Sequence, residues 1–275
     1  MLASAIIVFR ETLEAALIVG IVAASTRDLR SRNTWLAGGI AAGVLGSLLV
    51  ALFTGRIAEL AEGMGQELFN ASVLLLAAAM LAWHNIWMAR HGMTLAREAR
   101  QLGADVSDGS RAMSALALVV GLAILREGSE TALFLYGLLS SGEESSSSVL
   151  GGGTLGLLLG CLAGVALYAG VLRVPARHFF SATSGLILLL AAAMASQAAR
   201  FLVQADILPS LASPLWNISW LLDDHSMLGR LLHALTGYEA APSGIQVVFY
   251  TATLALILFG MRLLRMRPSV SSTTS

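Results

Sequence analysis

The chain has 275 residues, 56% of them hydrophobic and 12% charged, with a mean hydropathy of +0.77. A soluble domain carries about 25% charged residues, so this balance excludes an ordinary globular protein and points to a lipid bilayer. All 17 basic residues are arginine and the formal net charge is zero, which gives no reason to expect nucleic acid as a partner.

Apolar runs long enough to span occur at about 3–24, 34–54, 69–90, 114–139, 149–172, 180–203 and 245–264, each near the ~20 residues that a membrane helix needs. The expected fold is therefore an all-α integral membrane protein of seven transmembrane helices, forming one domain over residues 1–275. The first run is not read as a cleaved signal peptide, because Arg10, Glu11 and Glu14 fall where an uncharged core should be. The second run carries Gly38, Gly39, Gly43 and Gly46, small residues that let helices approach closely. The third contains His84, read two ways: hydrogen-bonded between helices, or lining the path in the inner part of the span. The fourth contains Arg126, Glu127 and Glu130. In the fifth, Gly151 to Gly153, Gly156 and Gly160 repeat the small-residue theme, and the lone Cys161 reads as packing.

The longest connection, about 204–244, holds Trp216 and Trp220, then Asp223-Asp224-His225, then a helical apolar pattern from Ser226 to Leu235 closed by Gly237. Arginines alternate in density from side to side. One side collects Arg27, Arg30, Arg32, Arg90, Arg97, Arg100, Arg111, Arg173, Arg177, Arg262, Arg265 and Arg267, and the other only Arg56, Arg200 and Arg230. By the positive-inside rule the rich side is cytoplasmic, the N-terminus is outside, and the tail 265–275 is inside. The outer side is acidic, and Glu59, Glu62, Asp223 and Asp224 are candidates for gathering cations there, with helix-terminal charge partnership as the plainer role for the two aspartates.

The halves repeat. Arg10-Glu11-Thr12-Leu13-Glu14 maps onto Arg126-Glu127-Gly128-Ser129-Glu130, and Leu74 to Met80 maps onto the identical Leu188 to Met194. Three helices form each unit, about 1–110 and 111–203, and an odd number inverts the second unit in the membrane. Glu11 and Glu14 project from one helix face, with Arg10 one turn from Glu14, and the second copy repeats this. Brought together on an axis, four carboxylates and two guanidiniums leave net −2 in a poorly solvated place, which calls for a cation or protons. Carboxylate oxygens suit a hard ion. The candidate metal ligands are thus Glu11, Glu14, Glu127 and Glu130, with Arg10 and Arg126 as charge balance. No His-Glu-x-x-His or Gly-x-Ser-x-Gly pattern suggests an enzyme.

At these residues the chain resembles the oxidase-dependent iron permease family of fungi and bacteria, marked by Arg-Glu-x-x-Glu in its first and fourth helices. The resemblance covers nearly the whole chain. Thr12 and Ser129 depart from the usual Arg-Glu-Gly-Leu-Glu at variable positions and leave the ligands intact. It implies a multi-pass permease of the cell (inner) membrane, surrounded by lipid, with iron as the transported ion, no prosthetic group, and an extracytoplasmic iron oxidase or iron-binding partner. The residues alone also admit a transporter or proton exchanger for another hard cation such as Mn²⁺, or a metal-binding membrane sensor.

Overall fold

A computed structural model describes residues 1–61, 65–142, 144–170, 176–224 and 226–266. Among these residues every regular element is an α-helix, with no strand. The helices are α1 (Leu2–Ser25), α2 (Arg32–Ala61), α3 (Gln66–Ser107), α4 (Ser114–Ser140), α5 (Ser146–Tyr168), α6 (Ala176–Gln204), α7 (Met227–Thr236) and α8 (Gly244–Met266). Five stretches, in α2, α3, α5, α6 and α8, are long and apolar enough to cross a membrane. Helices α1 and α4, at 24 and 27 residues, have the length, but each carries three motif charges.

The packing follows from which faces are small and which are large. Helix α5 lies on α1, α2 on α4, and α3 on α6, with α8 closing against α6 and α3. Gly152, Gly156, Gly160 and Gly164 form the buried face of α5, whereas Leu155, Leu158, Leu159 and Leu162 point outward. This is the membrane arrangement, in which small residues admit a neighbouring backbone and large apolar ones meet lipid. Cys161 lies on that outward face and is exposed, not packed as expected.

Two apolar clusters flank the motif level. One gathers Ala3 and Ile7 of α1, Leu74, Ala77, Ala78 and Leu81 of α3, Phe134 and Leu138 of α4, and Ile187 to Ala198 of α6. The other joins Val22, Leu36, Leu116 and Val120 to Ala99, Leu102 and Val106 of α3. The second exists because α3 does not stop where its membrane span does. It runs for 42 residues, about 63 Å at 1.5 Å per residue, far beyond the expected span and into what was read as a charged connection. Ala99, Leu102 and Val106 recur at helical spacing and keep it folded against α1, α2 and α4. Ser107 Oγ donates to the Ser25 carbonyl at 3.1 Å, tying its end to the end of α1.

Helix ends group in two sets. The Met1 ammonium is paired with Glu144, so the start of α1 meets the α4–α5 connection. At the other end, Arg27 lies over the Tyr168 ring at 5.4 Å, so the end of α1 meets the end of α5. Helix α7 starts at an N-cap Ser226, whose Oγ accepts from Gly229 N at 2.9 Å, and stops at Gly237 with φ 71°, as its sequence pattern requires.

The glycine contacts predict a sharp positional contrast. A side chain at Gly156 meets the Ala5 carbonyl and the Phe9 nitrogen of α1, backbone that cannot swing aside. Gly156→Leu should therefore lower thermal stability in detergent by at least the ~1–3 kcal/mol of an overpacked core. Leu157→Ala, one residue along on the exposed face, should leave the melting temperature nearly unchanged.

Candidate metal centre

Helix periodicity builds each half of the centre. Residues i, i+1 and i+4 of α1 place Arg10 between two acids: Nη1 lies 3.3 Å from Glu11 Oε1 and Nη2 2.9 Å from Glu14 Oε1. All three are fully buried, Arg10 with 1% of its surface exposed. In α4, Arg126 Nε lies 3.0 Å from Glu130 Oε1 and 3.8 Å from Glu127 Oε1. The pairing expected one turn apart is thus present in both motifs.

The halves are alike but not equivalent. Arg126 is 36% exposed and its guanidinium lies over the Trp87 ring, 4.2 Å from the centroid, a cation–π contact that the sequence did not announce. Arg126 and Glu127 also border a cavity of about 520 Å³ shared with Glu98, Gln101, Asp105 and Arg111 of α3 and its following turn. Arg10 has no such opening.

His84 stands between the two motifs. Its Nδ1 is against Glu130 of α4, and its Nε2 faces Glu14 at 3.4 Å and Glu11 at 3.8 Å in α1. Of the two readings of this residue, a place between helices is the one its contacts match: the packing of the Leu74, Ala77, Ala78 and Leu81 face turns His84 into the carboxylate layer. Next to it, Asn85 Nδ2 donates to the Ser184 carbonyl of α6 at 3.0 Å and fixes that rotation.

One ligand atom each from Glu11, His84, Glu127 and Glu130 lies within 4.8 Å of all the others. Opposite oxygens on a calcium-like ion, with bonds of about 2.3–2.6 Å, are separated by nearly that distance, and a smaller ion needs an inward shift of a few tenths of an ångström. Glu14 stands just outside this set, held by Arg10 and facing His84. Oε2 of Glu11, Glu14 and Glu127 is buried without a hydrogen-bond partner. Buried polar atoms left in this state cost about 1–3 kcal/mol each, and a cation placed among them would satisfy several at once.

The outer candidates fare differently. The Glu59 side chain and Glu62 lie outside the described residues. Asp224 Oδ1 accepts from Ala240 N at 2.9 Å, and the Asp223 carbonyl accepts from Ser226 N at 3.0 Å, so both aspartates have roles inside the 204–244 segment. Glu98 and Asp105, on the cavity, were not singled out from the sequence. Their signal was there, in charges interleaved with the apolar spacing of α3.

The departures at Thr12 and Ser129 leave the geometry intact. Thr12 packs where α5 offers Gly160, and Gly128 packs where α2 offers Ser47.

Comparison with known proteins agrees with this geometry. The profile described as "Iron permease FTR1 family" matches residues 1–270. Among curated proteins, the "Ferrous iron permease EfeU" of Yersinia pestis is 30% identical over 261 residues, covering 92% of this chain and 91% of its own. That of Escherichia coli O6:H1 is 32% identical over 264 residues, covering 92% and 93%, and that of Shigella sonnei 31% over 265, covering 93% and 94%. No solved structure matches. With a match running almost from end to end, and with both Arg-Glu-x-x-Glu motifs meeting at one buried centre, the chain belongs to the iron permease FTR1 family.

Proposed function

We propose that this permease carries Fe²⁺ across the cell membrane into the cytoplasm through a site made by Glu11, Glu14, Glu127 and Glu130. The observation that carries the reading is the convergence of two buried motifs whose charges sum to −2, with carboxylate oxygens that lack partners. A divalent ion neutralises that excess and a trivalent one overshoots it, and the relatives named above are ferrous iron permeases. Arg10 and Arg126 pair with the glutamates and aim them. The cavity beside Glu127, with Glu98 and Asp105 on its wall, supplies the release route, while the cluster around Phe134, Leu81 and Met194 closes the other side.

Seven spans in two inverted three-helix units, plus α8, are part of the same reading. Support comes from the contacts of the small residues. In one pair of helices Gly39 meets Ala117, Gly43 meets Gly121, and Ser47 meets Gly128; in the other Gly152 meets Met1, Gly156 meets Ala5, and Gly160 meets Thr12. Adding 113 to each α2 number and subtracting 116 from each α4 number turns the first set into the second. Ala77 and Ala78 of α3 and their counterparts Ala191 and Ala192 of α6 are likewise buried.

The direct test is uptake by the purified chain alone in proteoliposomes, with Fe²⁺ under argon, Fe³⁺-citrate and Mn²⁺ supplied in turn. Fe²⁺ should accumulate, and Mn²⁺ in tenfold excess should compete weakly. Glu14→Gln and Glu130→Gln, which keep shape and remove one charge, should abolish uptake while the protein still reaches the membrane. Parent-level uptake in both would move the site elsewhere.

Orientation has its own check. A reporter fused after Arg267 should be cytoplasmic and one inserted at Ser146 external, and the same side for both would end the seven-span reading. For the arginines, Arg10→Lys keeps charge but reaches only one of the two acids. Losing one charge-assisted hydrogen bond of about 1.5–3 kcal/mol should slow uptake roughly 10- to 100-fold. Arg10→Ala together with Glu14→Ala should reach the membrane and remain inactive, whereas uptake by it would leave both residues as mere structural partners.

A further inference from the structure

The buried group that the glutamate site does not use is His84. Its ring has 2% of its surface exposed and lies between α1 and α4, the two helices that carry the motifs. Both of its nitrogens are directed at carboxylates: Nδ1 is in direct contact with Glu130, whereas Nε2 faces Glu14 at 3.4 Å and Glu11 at 3.8 Å. A neutral imidazole carries one N–H, so one of its nitrogens aims a lone pair at an anionic oxygen. With the N–H on the Glu130 side, the Nε2 lone pair faces Glu14 and Glu11, and a cation bound there takes that nitrogen and the neighbouring oxygens as ligands together.

We infer that His84 is a direct ligand of the transported ion, completing with Glu11, Glu127 and Glu130 a mixed nitrogen and oxygen site that selects a borderline divalent cation such as Fe²⁺. The inference rests on the glutamate site proposed above and names what gives that site its selectivity. Carboxylates alone suit Mg²⁺, Ca²⁺ and Mn²⁺, the abundant competitors, whereas an imidazole nitrogen shifts preference toward Fe²⁺ and the later metals. With one ring nitrogen on the ion, the other is held by a carboxylate, the usual way in which a ligating histidine is oriented. The repeat adds an observation of its own. The position equivalent to His84 in α6, at the offset of 114 that aligns Leu74 with Leu188, is Ala198, small and fully buried. A near-axial place has room for one ring, and one half supplies it.

The test uses the full chain purified in detergent. Pulsed EPR of bound Mn²⁺ should show a directly coordinated ¹⁴N in the parent and in His91→Asn, whose ring stacks on Trp87 outside the cluster. In His84→Gln the nitrogen signal should vanish. Equilibrium binding under argon should then show the Fe²⁺ to Mn²⁺ affinity ratio falling at least roughly tenfold, the scale on which metal-site partners act. Absence of nitrogen coupling in the parent, which needs no variant to fold, overturns the inference and leaves His84 as a charge partner of Glu130. An equal loss of both metals in His84→Gln overturns the selectivity claim. Failure of the underlying site looks different: Glu11→Gln and Glu127→Gln would then bind Mn²⁺ as the parent does.

Discussion

Arg10, Glu11 and Glu14 share a place from which water is excluded, and an ionised group there survives only with partners in contact. Removing one member of such a set costs about 3–5 kcal/mol because the others are left bare. The rest of the architecture answers to that constraint. The charged faces of α1 and α4 cannot meet lipid, so they are turned inward, and the helices that pack on them must come close enough to leave no gap. Glycine on the inward faces of α2 and α5 permits that approach, and leucine on their outward faces meets the acyl chains. Burial of charge thus dictates where the small residues lie, and the small residues dictate which helices pair.

The same constraint accounts for the difference between the motifs. Arg10 satisfies two acids and is sealed, whereas Arg126 keeps one close acid, rests on Trp87 and borders a cavity. A site built from two identical clamps would hold its ion equally from both sides. With one clamp closed and the other opening on a cavity, the proposed site would release its ion by preference on the cavity side, which under the proposed orientation is the cytoplasm.

Much of this was legible in the residues because helical spacing is a local property. A spacing of three positions from Glu11 to Glu14 puts both on one face whatever surrounds them, and Ser226 and Gly237 bound α7 by capping chemistry that needs no tertiary context. The place of His84 was not legible. Its depth and direction depend on how α3 rotates against α6, which is decided by Leu74, Ala77, Ala78 and Leu81 packing on Ile187, Leu190 and Met194, contacts over a hundred residues apart. The length of α3 lay between these cases. Its apolar positions 99, 102 and 106 were visible, but the arginines among them read as a connection until Val22, Leu36 and Leu116 supplied the surface they cover.

The paired steps of Thr12 on Gly160 and of Gly128 on Ser47 carry a consequence for descent. Each motif helix meets its flanking helix through a fixed sum of side-chain volume, shared between residues that belong to opposite halves of the gene. An enlargement on one side of that contact has to be matched by a reduction on the other, or the charged layer is prised open. The two halves of the proposed repeat are therefore coupled through these contacts, and a half exchanged for another would fit only if its partner glycines came with it.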